Sequence, residues 1–151
     1  MVKRIIIIIV SVVVVFLILM ILLPTEKGRF KQDILAFKNA LQQENIHEAL
    51  LYISPEYQDG NGMVFQTFSG IIENLVSEFD DLDASMSGLT VFIDSTDEQG
   101  TFFAHCSLGL KLFARYQGER TLLYGGIVRP ASVQAWFKKT AERYQVYKAT
   151  Y

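Results

Sequence analysis

Cysteine is almost missing from this chain. Its 151 residues contain one, Cys106, which excludes an internal disulfide and any cysteine-based metal cluster. Histidine is nearly as scarce: His47 and His105 stand alone, with no second histidine or carboxylate at ligand spacing. Proline occurs three times, as Pro24, Pro55 and Pro130, so most of the chain is free to form regular structure. Positive charge is also in short supply. Beyond Lys3 and Arg4 the chain holds 12 Lys and Arg against 16 Asp and Glu. A nucleic-acid surface needs a basic patch to neutralise phosphates, so that class of partner is excluded.

What the chain does have is one long apolar run. Residues 5–23, IIIIIVSVVVVFLILMILL, carry no charge and one polar residue, Ser11. As a helix, nineteen residues span roughly 28 Å, close to the hydrocarbon thickness of a bilayer. A single segment in lipid must satisfy its own backbone, so the run predicts a transmembrane helix. No small-residue cleavage site follows it, and no cysteine is placed for lipid attachment, which predicts an uncleaved anchor. Lys3 and Arg4 predict a cytoplasmic tail, although Lys27, Arg29 and Lys31 nearly cancel the bias. The expectation is a single-pass protein of the inner (cytoplasmic) membrane with a periplasmic C-terminal domain. Its organisation would be a tail and anchor over 1–24, a linker over 25–29 around Gly28, and a domain over 30–151.

Within that domain the periodicity is first helical. Phe30, Ile34, Phe37 and Leu41 recur at the spacing of an amphipathic helix. Asn45-Ile46-His47-Glu48 reads as a capping box opening a short second helix through Tyr52. The stretch SPEYQDGNG, 54–62, then reads as a corner. Ser54 and Pro55 start a turn, Asp59-Gly60 reverses the chain, and Asn61 is placed to cap a third helix. Val64, Phe65, Phe68, Ile71, Ile72, Leu75 and Phe79 form that helix's stripe.

From Leu82 the period becomes two. Leu82, Ala84 and Met86 have the opposite parity to Leu89, Val91 and Ile93, which predicts a bulge near Ser87-Gly88. The longest strand follows, with Phe102, Ala104, Cys106, Leu108, Leu110, Leu112 and Ala114 on one face. Further strands are expected over Thr121–Val128, through Val133, Ala135 and Phe137, and over Tyr144–Tyr151. This order predicts an α+β fold: an N-terminal transmembrane helix, then a roll of three helices and a curved antiparallel sheet.

Two segments carry a family resemblance. ALQQENIHEALLYISPEYQD (40–59) resembles the first two helices and following loop of the nuclear-transport-factor-2-like superfamily, a cone-shaped α+β roll. VQAWFKKTAERYQVYKATY (133–151) is similar to its last hairpin, with Tyr144 and Val146 where an aromatic and an aliphatic residue point inward. The short hairpin that many members insert before the third helix is missing or reduced to 54–62. The superfamily contains isomerases, dehydratases, ligand-binding modules and partner-binding scaffolds, so the resemblance implies a fold and leaves the function open.

The candidate residues fall into two groups. Enzymes of this superfamily place acids, bases or tyrosines inside the cone, but the inward set here offers only apolar side chains and Cys106. No catalytic residue, metal ligand or cofactor is expected. Tyr52, Glu56, Tyr57 and Asp59 lie where the rim of a ligand pocket would be. On the opposite parity, Phe92, Phe103, Phe113, Trp136 and Tyr147 point out of the cone, a set of aromatics large enough to need a cover unless Lys111 and Arg115 shield it. The expected function is a non-catalytic, membrane-anchored interaction or scaffold domain that dimerises or docks a protein through the outer sheet face. The alternative is a small-molecule binder, or an isomerase- or dehydratase-like enzyme, using the mouth of the cone.

Overall fold

The computed structural model describes residues 11–15 and 25–151. Helix α1, Glu26–Gln42, begins at Thr25, whose Oγ1 accepts from the Gly28 amide at 3.1 Å. Its apolar stripe buries Phe30 and Ile34, as the spacing predicts. The five-residue α2, Ile46–Leu50, is capped by Asn45, whose Oδ1 accepts from the Glu48 amide at 3.1 Å. Glu48 does not complete the box; its carboxylate pairs with Arg143 at 3.1 Å.

Strand β1, Ile53–Asp59, follows, then α3, Phe65–Glu78. The remaining strands are β2 (Asp80–Thr96), β3 (Phe102–Tyr116), β4 (Glu119–Tyr124), β5 (Ala131–Lys139) and β6 (Tyr144–Thr150). They form one six-stranded sheet in the order β1-β6-β5-β3-β2, with β4 continuing beside β3 past the end of β5. The register of β2 on β3 shifts between Ser87 and Thr90, where Gly88 takes φ +61°; this is the bulge that the parity change predicts.

The core lies between α1 and the concave face. Phe30 is fully buried, its ring 4.8 Å from both Phe137 and Tyr144. Val91, Ala104, Cys106, Ala135 and Val146 belong to the same cluster. Small residues at 104, 106 and 135 leave room for those rings. Tyr144 and Val146 point inward, as expected from the resemblance.

Four expectations are corrected. Among the described residues no helix is long and apolar enough to cross a membrane, which overturns the fold with a transmembrane helix. Of residues 5–23 only 11–15 are described; they are helical, and five residues rise about 7.5 Å. The rest of that stretch lies outside the described residues. The first long helix, α1, is amphipathic and carries six charged side chains.

The sheet, secondly, is mixed rather than antiparallel. Residues 53–59, read as a corner, form an edge strand running parallel to β6. Pro55 lies where the pairing register slips between Ile53 and Gln58, a place that does not need its missing N–H. Thirdly, Asn61 does not cap α3, which starts after Val64 without a side-chain cap. Lastly, β4 ends at Tyr124, and 125–130 form a loop instead of more strand.

Candidate functional site

Strand register builds one row of side chains across the outer face. Phe92 on β2 pairs with His105 on β3, His105 with Trp136 on β5, and Trp136 with Lys148 on β6. The Phe92 and His105 rings stack, with centroids 4.7 Å apart and planes 16° apart. Lys148 Nζ lies 5.1 Å from the centre of the Trp136 ring, a cation–π contact. Beside the row, Phe103 meets Tyr147 edge to face at 6.1 Å. Four of the five expected interface aromatics thus gather at the end of the sheet nearest the β2–β3 turn. Phe92 is the most open of them, 45% exposed.

Phe113 does not join them. It lies eight residues beyond His105 on β3, about 27 Å along the strand, and Arg120 covers its ring at 4.4 Å. Between the two places the 125–130 loop folds onto the outer face. Gly109 has no side chain to hold it off: a Cβ there would come within 2.7 Å of both Pro130 Cγ and Ser87 Oγ. Lys111, whose shielding of the aromatics was the alternative to an open patch, donates from Nζ to the Ile127 carbonyl at 2.8 Å. Arg115 pairs with Asp81 at 3.1 Å. Gly126 N bonds the Arg129 carbonyl at 2.9 Å, and the turn holds Ile127 and Val128 out at 88% and 87% exposure.

The pairing of His105 with Asp94 was missed by spacing rules. Nδ1 of His105 lies 2.6 Å from Asp94 Oδ1. The residues are eleven apart in sequence but lie diagonally across the β2–β3 hairpin, Asp94 two residues beyond Phe92, the register partner of His105. Their shared outward parity was the available signal, and it needed the hairpin register to become a contact.

The four expected rim residues are dispersed. Tyr52 is buried near α1 and α2, its ring 6.1 Å from Phe37 and beneath the Arg143 guanidinium at 5.0 Å. Burial raises its phenol pKa. Glu56 points outward and pairs with Lys138. Tyr57 and Asp59 face inward, and Tyr57 packs on Phe68 at 5.0 Å. Burial, then the neighbouring Asp59 carboxylate, raises the Tyr57 pKa. Its hydroxyl makes no hydrogen bond among the described residues and is not sealed from solvent.

Asp59 is committed on both oxygens. Oδ1 accepts from the amides of Asn61 at 2.8 Å and Met63 at 2.7 Å, and Oδ2 accepts from the Tyr151 hydroxyl. The Tyr151 bond, then the turn amides, hold its carboxyl below the usual value against the opposing effect of burial. An anion so fully bonded is a poor proton acceptor. Inside the cone, burial pushes the Cys106 thiol up to about 11, which keeps it a neutral packing group. A shallow depression of about 290 Å³ lies elsewhere, bounded by Gln99, Gly100, Thr101, Phe102, Lys139 and Thr140. Lys139 there is already paired with Glu26 at 2.7 Å.

No protein-family model matches the sequence, and no curated protein resembles it detectably. Solved structures do match in shape. A candidate scytalone dehydratase from Novosphingobium aromaticivorans superposes with a TM-score of 0.63 at 13% identity, over 80% of this chain and 78% of that one. A variant of the helical cell shape determining protein Pgp2 from Campylobacter jejuni gives 0.61 at 11%, over 78% of this chain but only 38% of that one. An NTF2-like protein with a cystatin-like fold, also from Novosphingobium aromaticivorans, gives 0.55 at 12%, over 89% and 84%. At such identities the likeness is one of fold: residues 25–151 form a nuclear-transport-factor-2-like α+β cone with a curved sheet.

Proposed function

We propose that the chain is a non-catalytic interaction domain that pairs with a second copy or docks a protein through the outer face of its sheet. The observation that carries this reading is the lateral row Phe92, His105, Trp136 and Lys148, with Phe103 and Tyr147 beside it. Half-buried aromatics gathered at one end of a sheet resemble the anchor residues of protein interfaces. The inner face supports the same reading, because the inward-facing Asp59 carboxylate is tied on both oxygens.

The test is the size of the full chain in solution and its crosslinked partners, for wild type and for Trp136→Ala combined with Phe92→Ala. An assembly that the double variant loses at unchanged Tm supports the reading. Wild type that is monomeric and recovers no partner overturns it.

A second reading rests on Tyr57, whose ring is buried while its hydroxyl, unbonded among the described residues, reaches solvent. A small apolar molecule bearing a carbonyl could accept from it, and a candidate dehydratase is among the structures of similar fold. Thermal shift against small ketones and aromatic carbonyl compounds would decide. A compound that raises the Tm of wild type but not of Tyr57→Phe favours this reading; none doing so removes it.

A further inference from the structure

Charge on α1 is sorted by flank. Its two acids turn toward the sheet: Glu26 pairs with Lys139 and accepts from the Tyr144 hydroxyl, and Asp33 accepts from the Tyr144 amide at 2.8 Å. Lys27, Lys31 and Lys38 recur at steps of four and seven. On a helix those steps place them within about 40° of one another, in a stripe about 17 Å long. Lys27 and Lys31 are exposed, Lys38 is half-buried, and Leu35 lies open along the same stripe.

The three lysines meet no carboxylate among the described residues. That sets them apart from the cations elsewhere. Beyond α1, every Lys and Arg except Arg129 meets a carboxylate, a carbonyl or an aromatic ring.

Lysines on a helix face are ordinarily solvated, but two further observations indicate a surface for these. Helix α1 opens at Glu26, directly after residues 5–23, which carry no charge. In the described part of that run Val12, Val13, Val14 and Val15 are 47–62% exposed, and four adjacent open valines call for an apolar cover. The stripe itself sets Leu35 among lysines, the mixture that suits a lipid interface. A bilayer with anionic headgroups answers both charge and apolar surface, whereas an acidic protein or a nucleic acid answers charge alone. The chain as a whole is negative, at −2, so the attraction is local and acts within a Debye length of the stripe.

We propose that the Lys27, Lys31 and Lys38 flank of α1 rests on an anionic lipid surface, with the lysines against headgroups and Leu35 toward the acyl boundary. This contact needs no helix that crosses the bilayer. Helix α1 packs on the concave side of the sheet, so the outer face stays free for the pairing proposed above.

The test uses the full chain carrying a thiol fluorophore at Leu35→Cys or, as a control on the outer-face loop, at Val128→Cys. Cys106 is buried and stays unlabelled. Vesicles of phosphatidylcholine, alone or with an equal part of phosphatidylglycerol, carry nitroxide headgroups that quench a nearby label. Quenching at 35 is expected to be several-fold stronger with phosphatidylglycerol, to be lost in molar salt, and to exceed that at 128. Each lysine near such a surface favours contact about fivefold. Lys27→Gln with Lys31→Gln and Lys38→Gln should therefore weaken contact about a hundredfold at unchanged Tm, while arginine at all three positions retains it. Equal quenching with both vesicles, no effect of salt or of the glutamines, or equal quenching at 128 would each overturn the proposal. So would a chain that does not associate with vesicles, or one that binds polyglutamate or DNA more tightly than the anionic vesicles.

Discussion

The hydroxyl of Tyr151 donates to Oδ2 of Asp59, joining two residues 92 positions apart. Oδ1 of the same carboxylate gathers the turn amides of Asn61 and Met63. Asp59 therefore fastens the end of β1 to the residue that follows β6. Its chemistry is that of a clasp, although a buried carboxylate invites a catalytic reading.

Removing the clasp should loosen that end of the sheet first. Tyr151→Phe is expected to lower Tm by several degrees and to speed hydrogen exchange at Asn61 and Met63. Unchanged exchange at those amides would show that the phenol does not hold the turn.

The same clasp sets an acid limb. Asp59 is held below its ordinary value of 3.8, first by the Tyr151 bond. Glu26 is held below 4.5, first by its bond to Lys139. Groups depressed in the folded state contribute stability that is fully present above their ordinary values and lost as pH falls through the folded ones. Urea midpoints should therefore be level above about pH 5 and fall below about pH 4.5. Asp59→Asn should start lower and flatten that fall; an equally steep fall would assign the limb to other carboxylates.

Phe30 sits at the centre of the core, with no exposed surface and two aromatic neighbours. Phe30→Ala should cost about 3–5 kcal/mol in urea unfolding, through lost transfer energy and the cavity left behind. Phe30→Leu should cost clearly less. Similar losses for both would mean that ring geometry, not volume, governs the site.

Two glycines should respond in opposite ways. Gly109→Ala places a methyl against Pro130 and Ser87, and should cost about 1–3 kcal/mol by displacing the loop or the strand. Gly70→Ala lies within α3 with nothing within 4 Å, and should stabilise by about 0.5–1 kcal/mol. Thermal unfolding of both variants checks the pair. A neutral Gly109→Ala would mean that Pro130 does not bear on the sheet.

Much of the concave face could be read from alternation alone. Ala104, Cys106 and Ala114 are buried because a strand with one covered face must repeat every two residues. The Ser87–Gly88 bulge was legible for the same reason, since a change of parity demands an extra residue. Strand β1 was not legible. Its partner β6 lies some ninety residues away, and Ser54, Pro55 and Asp59 carry the local signature of a turn. The candidate site was legible as parity and illegible as adjacency. Outward parity selected Phe92, Phe103, Phe113, Trp136 and Tyr147, but only cross-strand register brings four of them together and leaves Phe113 under Arg120.

By itself the sequence determined the α+β order, the concave-face residues, the cap at Asn45 and the absence of disulfide chemistry, because propensity, periodicity and composition act over a few residues. The tertiary structure alone decided the parallel placement of β1, the clasp between Asp59 and Tyr151, and the lateral aromatic row. Each of those depends on which strands meet and in what register. That choice is made by the packing of the whole core around Phe30, and no local pattern encodes it.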